Sequence, residues 1–431
     1  MQFGGGCPSR SSLPPEAAAF SLDSVGASKL IELEQARDAV LERAAPLGVE
    51  RLVLREALGR RLAEDVVAAE PVPGFDNSAM DGFAVRAGDT RGARPDAPVP
   101  LRLVDESRAG RPAAATLGPG EAIRISTGAI VPGGADAVVR VEDTSAGDGR
   151  VLIRDEVDAG RDVRRAGDDV RPGETVLRAG AGIGPAELGV LASLGAAVVA
   201  CRRRPRVAVL TSGDELLEPG EEMRPGGVRN SNAYTVPALV ERAEAEAVVA
   251  GPLPDDLEAT RAGIAPALDL DVVVLCGGVS VGEHDHVKRA LAELGVEERF
   301  WGVALKPGKP TWFGTRGDTL VFGLPGNPVS AMVTFVLLVR PALAVLSGGR
   351  PGRMRTTARL AHDLDKRPGR THAVRCRLEL RDDGWHAHPA ERQGSHVLTS
   401  MLGADCLALL PTPSGPLRAG ERVEVELLDR A

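Results

Sequence analysis

Carboxylates, lysines and glycines gather in the second half of the chain in a pattern suited to phosphate chemistry. Glu215 closes the polar run Thr211-Ser212-Gly213-Asp214-Glu215, and Asp285 closes the run 277–285, Gly-Gly-Val-Ser-Val-Gly-Glu-His-Asp, which contains Gly277, Gly278 and Ser280. Asp255 lies between them, Lys306 and Lys309 stand in Lys306-Pro307-Gly308-Lys309-Pro310, and a further loop reads Gly323-Leu324-Pro325-Gly326-Asn327-Pro328. Glycines let a backbone approach a ligand closely, and their N–H groups can cradle a phosphate ahead of the helix expected over His286 to Leu294. Carboxylates beside lysines suit Mg²⁺ bridging phosphate oxygens, because the metal cancels charge that would otherwise repel the substrate. A single glycine loop is equally well a tight strand-to-helix connection. The combination reads as a nucleotide-phosphate or pyrophosphate site.

A second constellation lies far upstream, in the run 73–85, Pro-Gly-Phe-Asp-Asn-Ser-Ala-Met-Asp-Gly-Phe-Ala-Val. Its density of small and polar residues in a strand-like context is hard to explain as packing, and the competing reading is a plain turn. Arg124-Ile125-Ser126-Thr127-Gly128-Ala129 presents a hydroxyl at a strand end, and Arg164-Arg165-Ala166-Gly167-Asp168-Asp169 places two cations beside two carboxylates. The commoner meaning of the latter is a solvated charge run. Other reactive side chains read as structural. His284 and His286, like His386 and His388, lack the further partners of a closed metal site. Cys276 reads as a small buried strand-end residue, and Trp301 and Trp312 suit either stacking on a ligand's ring or packing beside a sheet.

Two kinds of element must position these residues. From Arg206 onward, apolar strands alternate with helical segments: Val207 to Leu210, a helix through Val236 to Ala243, Ala247 to Ala250, a helix over Leu257 to Ile264, then Val272 to Leu275. That alternation implies a parallel sheet with helices on both faces and ligands beyond the carboxyl ends of the strands. The loop 323–328 opens a helix running through Val345. Between Leu52 and Arg204 the chain has short β-type runs, including Val99 to Val104, Ala122 to Ile125 and Ala137 to Val141, separated by Gly and Pro. A helix capped by Ser28, with Leu33, Ala36, Val40 and Ala44 on one face, precedes them and ends at Pro46. After Gly352, segments such as Val374 to Leu380 and Cys406 to Leu410 form a β-rich tail, and residues 1–27 read as a disordered leader.

Composition narrows the function. A chain of 431 residues exceeds the roughly 250–300 residues at which a single core stops growing, so several domains are expected. Aromatic residues at 3% and a net charge of −8 remove the stacking platforms and basic face that nucleic acid requires, so nucleic acid is not an expected partner. No uninterrupted apolar run reaches the length of a membrane span and no signal pattern opens the chain, which points to the cytoplasm. The five cysteines are scattered and never in a CxxC pair, which argues against disulfides and zinc knuckles alike.

FDNSAMDGFAV, RISTGA, VRRAGDD, TSGDEL, GGVSVGEHD, KPGKP, GLPGNPVSA and RQGSH occur in this order from about residue 29 to the end, and together they resemble the MoeA and gephyrin E-domain family of molybdopterin molybdenumtransferases. The resemblance implies a mixed α/β and β protein: a three-layer α/β/α MogA-like pterin-binding domain, a β-rich inserted lid domain and a small β-barrel-like C-terminal domain. The implied boundaries are a helix over 28–53 packing on the α/β domain, a linker domain of 54–73 and 174–204, the lid 74–173, the α/β domain 205–353 and the C-terminal domain 354–431.

The implied reaction inserts molybdate into adenylylated molybdopterin with release of AMP and dependence on Mg²⁺. The implied catalytic residues are Asp81, Thr127, Asp169, Glu215 and Asp285, with Glu215 and Asp285 holding the Mg²⁺. Substrate-binding residues would be Arg164, Ser212, Gly277, Gly278, Ser280, Asp255, Lys306, Lys309, Pro325, Pro328 and Ser395. The family's dimers place the cleft between protomers, the lid of one facing the α/β domain of the other, and transient contact with a molybdopterin adenylyltransferase is a further implied interaction. The chain departs from the pattern at Gly302, where relatives often carry a lysine.

Overall fold

The computed structural model describes residues 30–279, 286–352 and 354–428. The leader, the Ser28 cap, Ser280, His284 and Asp285 therefore lie outside the described residues. The layered core is a six-stranded sheet in the order Glu246–Val249, Arg206–Thr211, Val272–Cys276, Thr319–Leu324, Trp312–Arg316, Glu297–Trp301. The first four strands are parallel, and every residue of Val272–Cys276 is buried, as a strand covered on both faces must be. The last two are antiparallel, which the expected parallel sheet did not include. Only Gly317 and Asp318 separate Trp312–Arg316 from Thr319–Leu324, and a link that short can form a hairpin but not a crossover.

Alternate residues of the central strands point to opposite layers. Val207 and Val209 pack with Leu33, Ala36 and Val40 of the helix Leu33–Leu41, with Val236 and Val240 of Asn232–Arg242, and with the long helix that begins at Pro328. Ala208 and Leu210 pack against Ile264 of Leu257–Ile264 and Val287, Ala290 and Leu291 of His286–Glu293. The N-terminal helix starts at Leu33, where the Gln35 side chain accepts the Glu32 N–H at 3.3 Å, and stops at Leu41, short of the expected Ala44. The long helix also differs from a uniform α-helix. Pro328–Thr334 passes into a π-helical turn, Phe335–Val339, before Arg340–Leu346. Pro341 supplies no N–H and would crowd the carbonyl four residues earlier, and the wider turn accommodates it. Pro328–Leu346 is long and apolar enough to cross a membrane, yet 78% of it is buried inside the fold, where it serves as a core helix.

The inserted region is a sheet in the order Ala137–Arg140, Gly82–Val85, Glu121–Ile125, Val99–Ser107, Arg150–Ile153, Thr144–Gly147. Phe83, Val85 and Val139 fill one face, and Ala84, Ile123 and Val138 the other. Gly82 is required for its closeness to the neighbouring strand, since a Cβ there would fall on the Val139 carbonyl oxygen. Between this region and the core, the antiparallel pair Val49–Val53 and Val198–Arg202 packs with the helix Pro185–Ser193. In the C-terminal region Arg355–Leu360, Thr371–Arg381, Gly384–Pro389, Cys406–Leu410 and Arg422–Leu427 close into a five-stranded barrel. Leu305–Lys306 adds to it in parallel beside Thr371–Arg381, which joins a lysine-bearing loop of the core to the barrel. Cys201, Cys276, Cys376 and Cys406 are buried free thiols.

Candidate active site

Three strand ends and a barrel loop converge in the core domain. The Ser212 N–H donates to the Cys276 carbonyl at 3.2 Å, and the Gly277 N–H to the Leu324 carbonyl at 3.0 Å. Gly277 and Gly278 take φ of +97° and +63°, in the left-handed region that favours glycine. Space also demands them, since a Cβ at Gly277 would lie 3.1 Å from Ser212 Oγ and one at Gly278 would meet that oxygen at 2.8 Å. From the next strand end, Asn327 Nδ2 donates to Ser395 Oγ at 3.2 Å and the Val329 N–H to the Ser395 carbonyl at 3.3 Å. Pro325 is buried beneath this loop and Pro328 opens the long helix. Ser212, Gly277, Gly278, Pro325, Pro328 and Ser395 thus belong to one continuous set of loops at the carboxyl ends of parallel strands, where α/β sheets place ligands.

The acidic residues are held open beside this set. The Asp214 N–H donates to Asp255 Oδ2 at 3.4 Å, and the Asp255 N–H returns a bond to Asp214 Oδ1 at 3.2 Å, so the two loops brace each other. Asp256 is occupied elsewhere, accepting the Ala259 N–H at 2.8 Å as a helix cap. Glu215 is exposed, and its carboxylate folds over Gly213, where φ is +134°. Among the described residues no group of three or more His, Cys, Asp or Glu side chains is placed to hold a metal ion. The donors on offer are exposed carboxylate oxygens, hard ligands of the kind Mg²⁺ takes in ones and twos alongside substrate phosphates and water.

Lys306 and Lys309 are exposed on a loop anchored by the Lys309 carbonyl, which accepts the Val303 N–H at 2.9 Å. His372 stands opposite Lys306 in the barrel pairing. Burial, with the nearby Lys306 charge second, pushes its pKa down to about 4. Gly302 has φ of +85°, and a Cβ would lie 2.9 Å from Leu30 Cδ2. The backbone here favours glycine, so a lysine would be strained as well as absent.

The inserted domain presents its own polar cluster. Asp81 Oδ1 accepts both the Thr127 N–H at 2.7 Å and the Thr127 hydroxyl at 3.0 Å, and these bonds hold its carboxyl below the usual carboxylate range. Arg164 pairs with Asn77 across two short strands, and the Asp169 N–H donates to the Val72 carbonyl at 3.0 Å. Asp81, Thr127, Arg164 and Asp169 are all exposed. A further organising residue lies in the run 73–85. Asp76 accepts from Arg165 Nη1 at 2.6 Å and from the Ala166 N–H at 2.9 Å, fastening the loop 164–169 to the loop carrying Asp81. Those donors lower its pKa, the Ala166 N–H most. Its only signal in the sequence was membership of the polar run. Among the described hydrogen bonds and ion pairs, none joins these lid residues to the loops carrying Ser212, Glu215, Asp255, Lys306 or Lys309.

The residues read as structural stay outside the cluster's chemistry. Cys276 is buried with its thiol pKa pushed up to about 12, the opposite of an activated nucleophile. His386 and His388 are taken up by Asp383 at 2.8 Å and Glu379 at 2.7 Å. Trp301 donates to the Val279 carbonyl at 2.9 Å, and Trp312 is buried with its N–H on Glu298.

A three-layer core domain, an inserted sheet and a closed barrel make a multidomain protein whose candidate site lies in polar loops beyond the carboxyl ends of its parallel strands. Residues 31–195 match the MoeA N-terminal region (domain I and II), residues 208–345 the domain described as "Probable molybdopterin binding domain", and residues 357–428 the MoeA C-terminal region (domain IV). The chain belongs to the MoeA family of molybdopterin molybdenumtransferases. It is 38% identical over 403 residues to the molybdopterin molybdenumtransferase of Haemophilus influenzae, covering 92% of this chain and 98% of that one. Identity to the Bacillus subtilis molybdopterin molybdenumtransferase is 35% over 385 residues, covering 88% and 90%. The molybdopterin biosynthesis MoeA protein of Pyrococcus horikoshii superposes with a TM-score of 0.80 at 31% identity, over 93% of this chain and 100% of that one.

Proposed function

We propose that this protein inserts molybdate into adenylylated molybdopterin, with release of AMP, in a Mg²⁺-dependent step of molybdenum cofactor biosynthesis in the cytoplasm. The observation that carries the proposal is the convergence of the Ser212, Gly277–Gly278 and Asn327–Ser395 loops at the carboxyl ends of three parallel strands, flanked by exposed acids and lysines. The glycine backbone approaches the phosphates of the substrate, and Ser212 and Ser395 offer hydroxyls to its polar atoms. Lys306 and Lys309 neutralise oxyanions of phosphate or molybdate. Glu215, with Asp285 outside the described residues, would hold Mg²⁺, which when bound offsets charge on the pyrophosphate that links pterin to adenylate. Asp81, kept anionic by Thr127, orients water or substrate, with Arg164 and Asp169 on the same surface.

A homodimer of the kind the family resemblance implies completes the site, each cleft taking its lid from the partner; among the described residues no hydrogen bond or ion pair joins the lid residues to the core loops of the same chain. Transient contact with a molybdopterin adenylyltransferase would hand the adenylylated pterin directly to that cleft. The test incubates purified protein with adenylylated molybdopterin, Mg²⁺ and molybdate, comparing wild type with Asp81→Ala. Molybdate-dependent AMP release by wild type alone is the expected result, and no release by wild type would overturn the proposal.

A further inference from the structure

The strand ends that carry the candidate site are bridged by the segment Arg229-Asn230-Ser231-Asn232, which leads into the helix Asn232–Arg242. Asn230 and Asn232 are 2% and 8% exposed. Asparagine is seldom buried so deeply, because its amide must then find partners inside the fold. Asn230 finds them for a structural purpose. Its Nδ2 donates to Thr211 Oγ1 at 3.0 Å and to Glu218 Oε1 at 3.1 Å, and its Oδ1 accepts the Ala233 N–H at 3.3 Å in the first turn of the helix. These bonds fasten the helix to the end of the strand Arg206–Thr211.

Asn232 is different. Its Nδ2 donates to the Gly326 carbonyl at 2.8 Å, 94 residues away, and its Oδ1 is buried without a partner. It therefore caps nothing, since an asparagine that starts a helix does so by accepting a backbone N–H through that oxygen. Among the described hydrogen bonds, the donation to Gly326 is the one its side chain makes.

Gly326 lies between two parts of the site. On one side the Gly277 N–H bonds the Leu324 carbonyl, and on the other Asn327 Nδ2 reaches Ser395 Oγ at 3.2 Å. Gly326 and Asn327 are exposed, so packing alone does not set the peptide between them. That peptide is trans, with its C=O and N–H pointing in opposite directions, and a bond that fixes the Gly326 carbonyl also fixes the Asn327 N–H. Among the described hydrogen bonds the Asn327 N–H has no acceptor.

Taking these loops as the substrate-phosphate site proposed above, we propose that Asn232 is a positioning residue for the reaction. Its grip on the Gly326 carbonyl turns the Gly326–Asn327 peptide so that the Asn327 N–H is presented to phosphate oxygens while the Asn327 side chain stays on Ser395. Asn232 acts through that peptide and does not touch the substrate.

Wild type is compared with Asn232→Ala and with the isosteric Asn232→Asp, thermal midpoints showing that each protein is folded. AMP binding in the presence of Mg²⁺ is read by calorimetry, and molybdate-dependent AMP release by turnover. Asn232→Ala should weaken AMP binding and lower kcat/KM by about tenfold each, the scale of a misdirected group rather than a missing one. At neutral pH Asn232→Asp keeps the shape of the side chain but turns an acceptor toward the Gly326 carbonyl, so its loss should be at least as large. Protonation restores a donor, and burial of the side chain favours the protonated form. AMP affinity of Asn232→Asp relative to wild type at the same pH should therefore recover as pH falls from mildly alkaline to mildly acidic, which an asparagine serving only to fill space does not predict. AMP affinity unchanged in Asn232→Ala, failure of AMP to bind wild type, or a pH-independent ratio for Asn232→Asp overturns the proposal. Weakened AMP binding in Asn232→Ala combined with no AMP release by wild type upholds the positioning role and overturns only the reaction proposed above.

Discussion

In the lid, two carboxylates are held by donors from a neighbouring loop: Asp81 by Thr127, and Asp76 by Arg165 and Ala166. In the core domain the polar residues sit where strands end, and beside Ser212 the path of the loop is set by the backbone of Gly277 and Gly278 and the space they leave. The first arrangement fixes a carboxylate's charge and direction through hydrogen bonds that a single substitution can remove. The second fixes a backbone path, which changes only when the space or conformation is denied. Loss of a lid residue should therefore reduce activity with the fold intact, whereas loss of a core glycine should disturb both together.

The largest effect is expected at Asp81. Asp81→Ala should lower molybdate-dependent AMP release by roughly a hundredfold or more, in the range of a positioned acid or base, with an unchanged thermal midpoint. Next comes Gly278→Ala, since the new Cβ meets Ser212 Oγ and the Val287 side chain at φ of +63°. A cost of about 1–3 kcal/mol for the strained conformation should appear in denaturant midpoints together with lost activity. A lower midpoint for Asp81→Ala, or an unaltered one for Gly278→Ala, would break the comparison.

Asp76→Asn should have a smaller effect. The exposed ion pair contributes no more than about 1 kcal/mol, so stability should hardly move. Misplacement of the 164–169 loop should lower kcat/KM by about tenfold, with Asp76→Glu restoring part of it. The smallest effect concerns pH. His372 has a folded pKa of about 4 against an ordinary 6.5, so between those values the unfolded chain binds the extra proton and stability falls as pH drops. His372→Gln should shrink the wild-type loss of urea stability between neutral pH and mildly acidic pH, without altering activity at neutral pH.

The same contrast explains what could be read from the sequence. Strands such as Val272–Cys276 and the helix Leu257–Ile264 were legible because burial on both faces, or on one, imposes its own period on the residues. The antiparallel edge was missed because the local composition of Trp312–Arg316 does not record direction, which the two-residue link decides. The π-helical turn was not legible because the apolar run up to Val345 has the composition of a continuous helix, and the widening before Pro341 leaves no mark on residue types. In the site, Glu215, Asp255 and the lysines stood out by type. Asp76 did not, because its part is to fasten one loop to another 89 residues away, a relation that only the fold creates.

The central claim is that the lid and core halves of one cleft come from different protomers. Asp81→Ala and Glu215→Ala proteins, each inactive alone, can be mixed under conditions where subunit exchange is verified by native mass spectrometry. Statistical reassortment of a twofold dimer then creates one intact cleft in each mixed dimer, and AMP release should recover to about a quarter of wild type. Verified mixed dimers with no recovered activity would contradict the claim and place both halves of the cleft within a single chain.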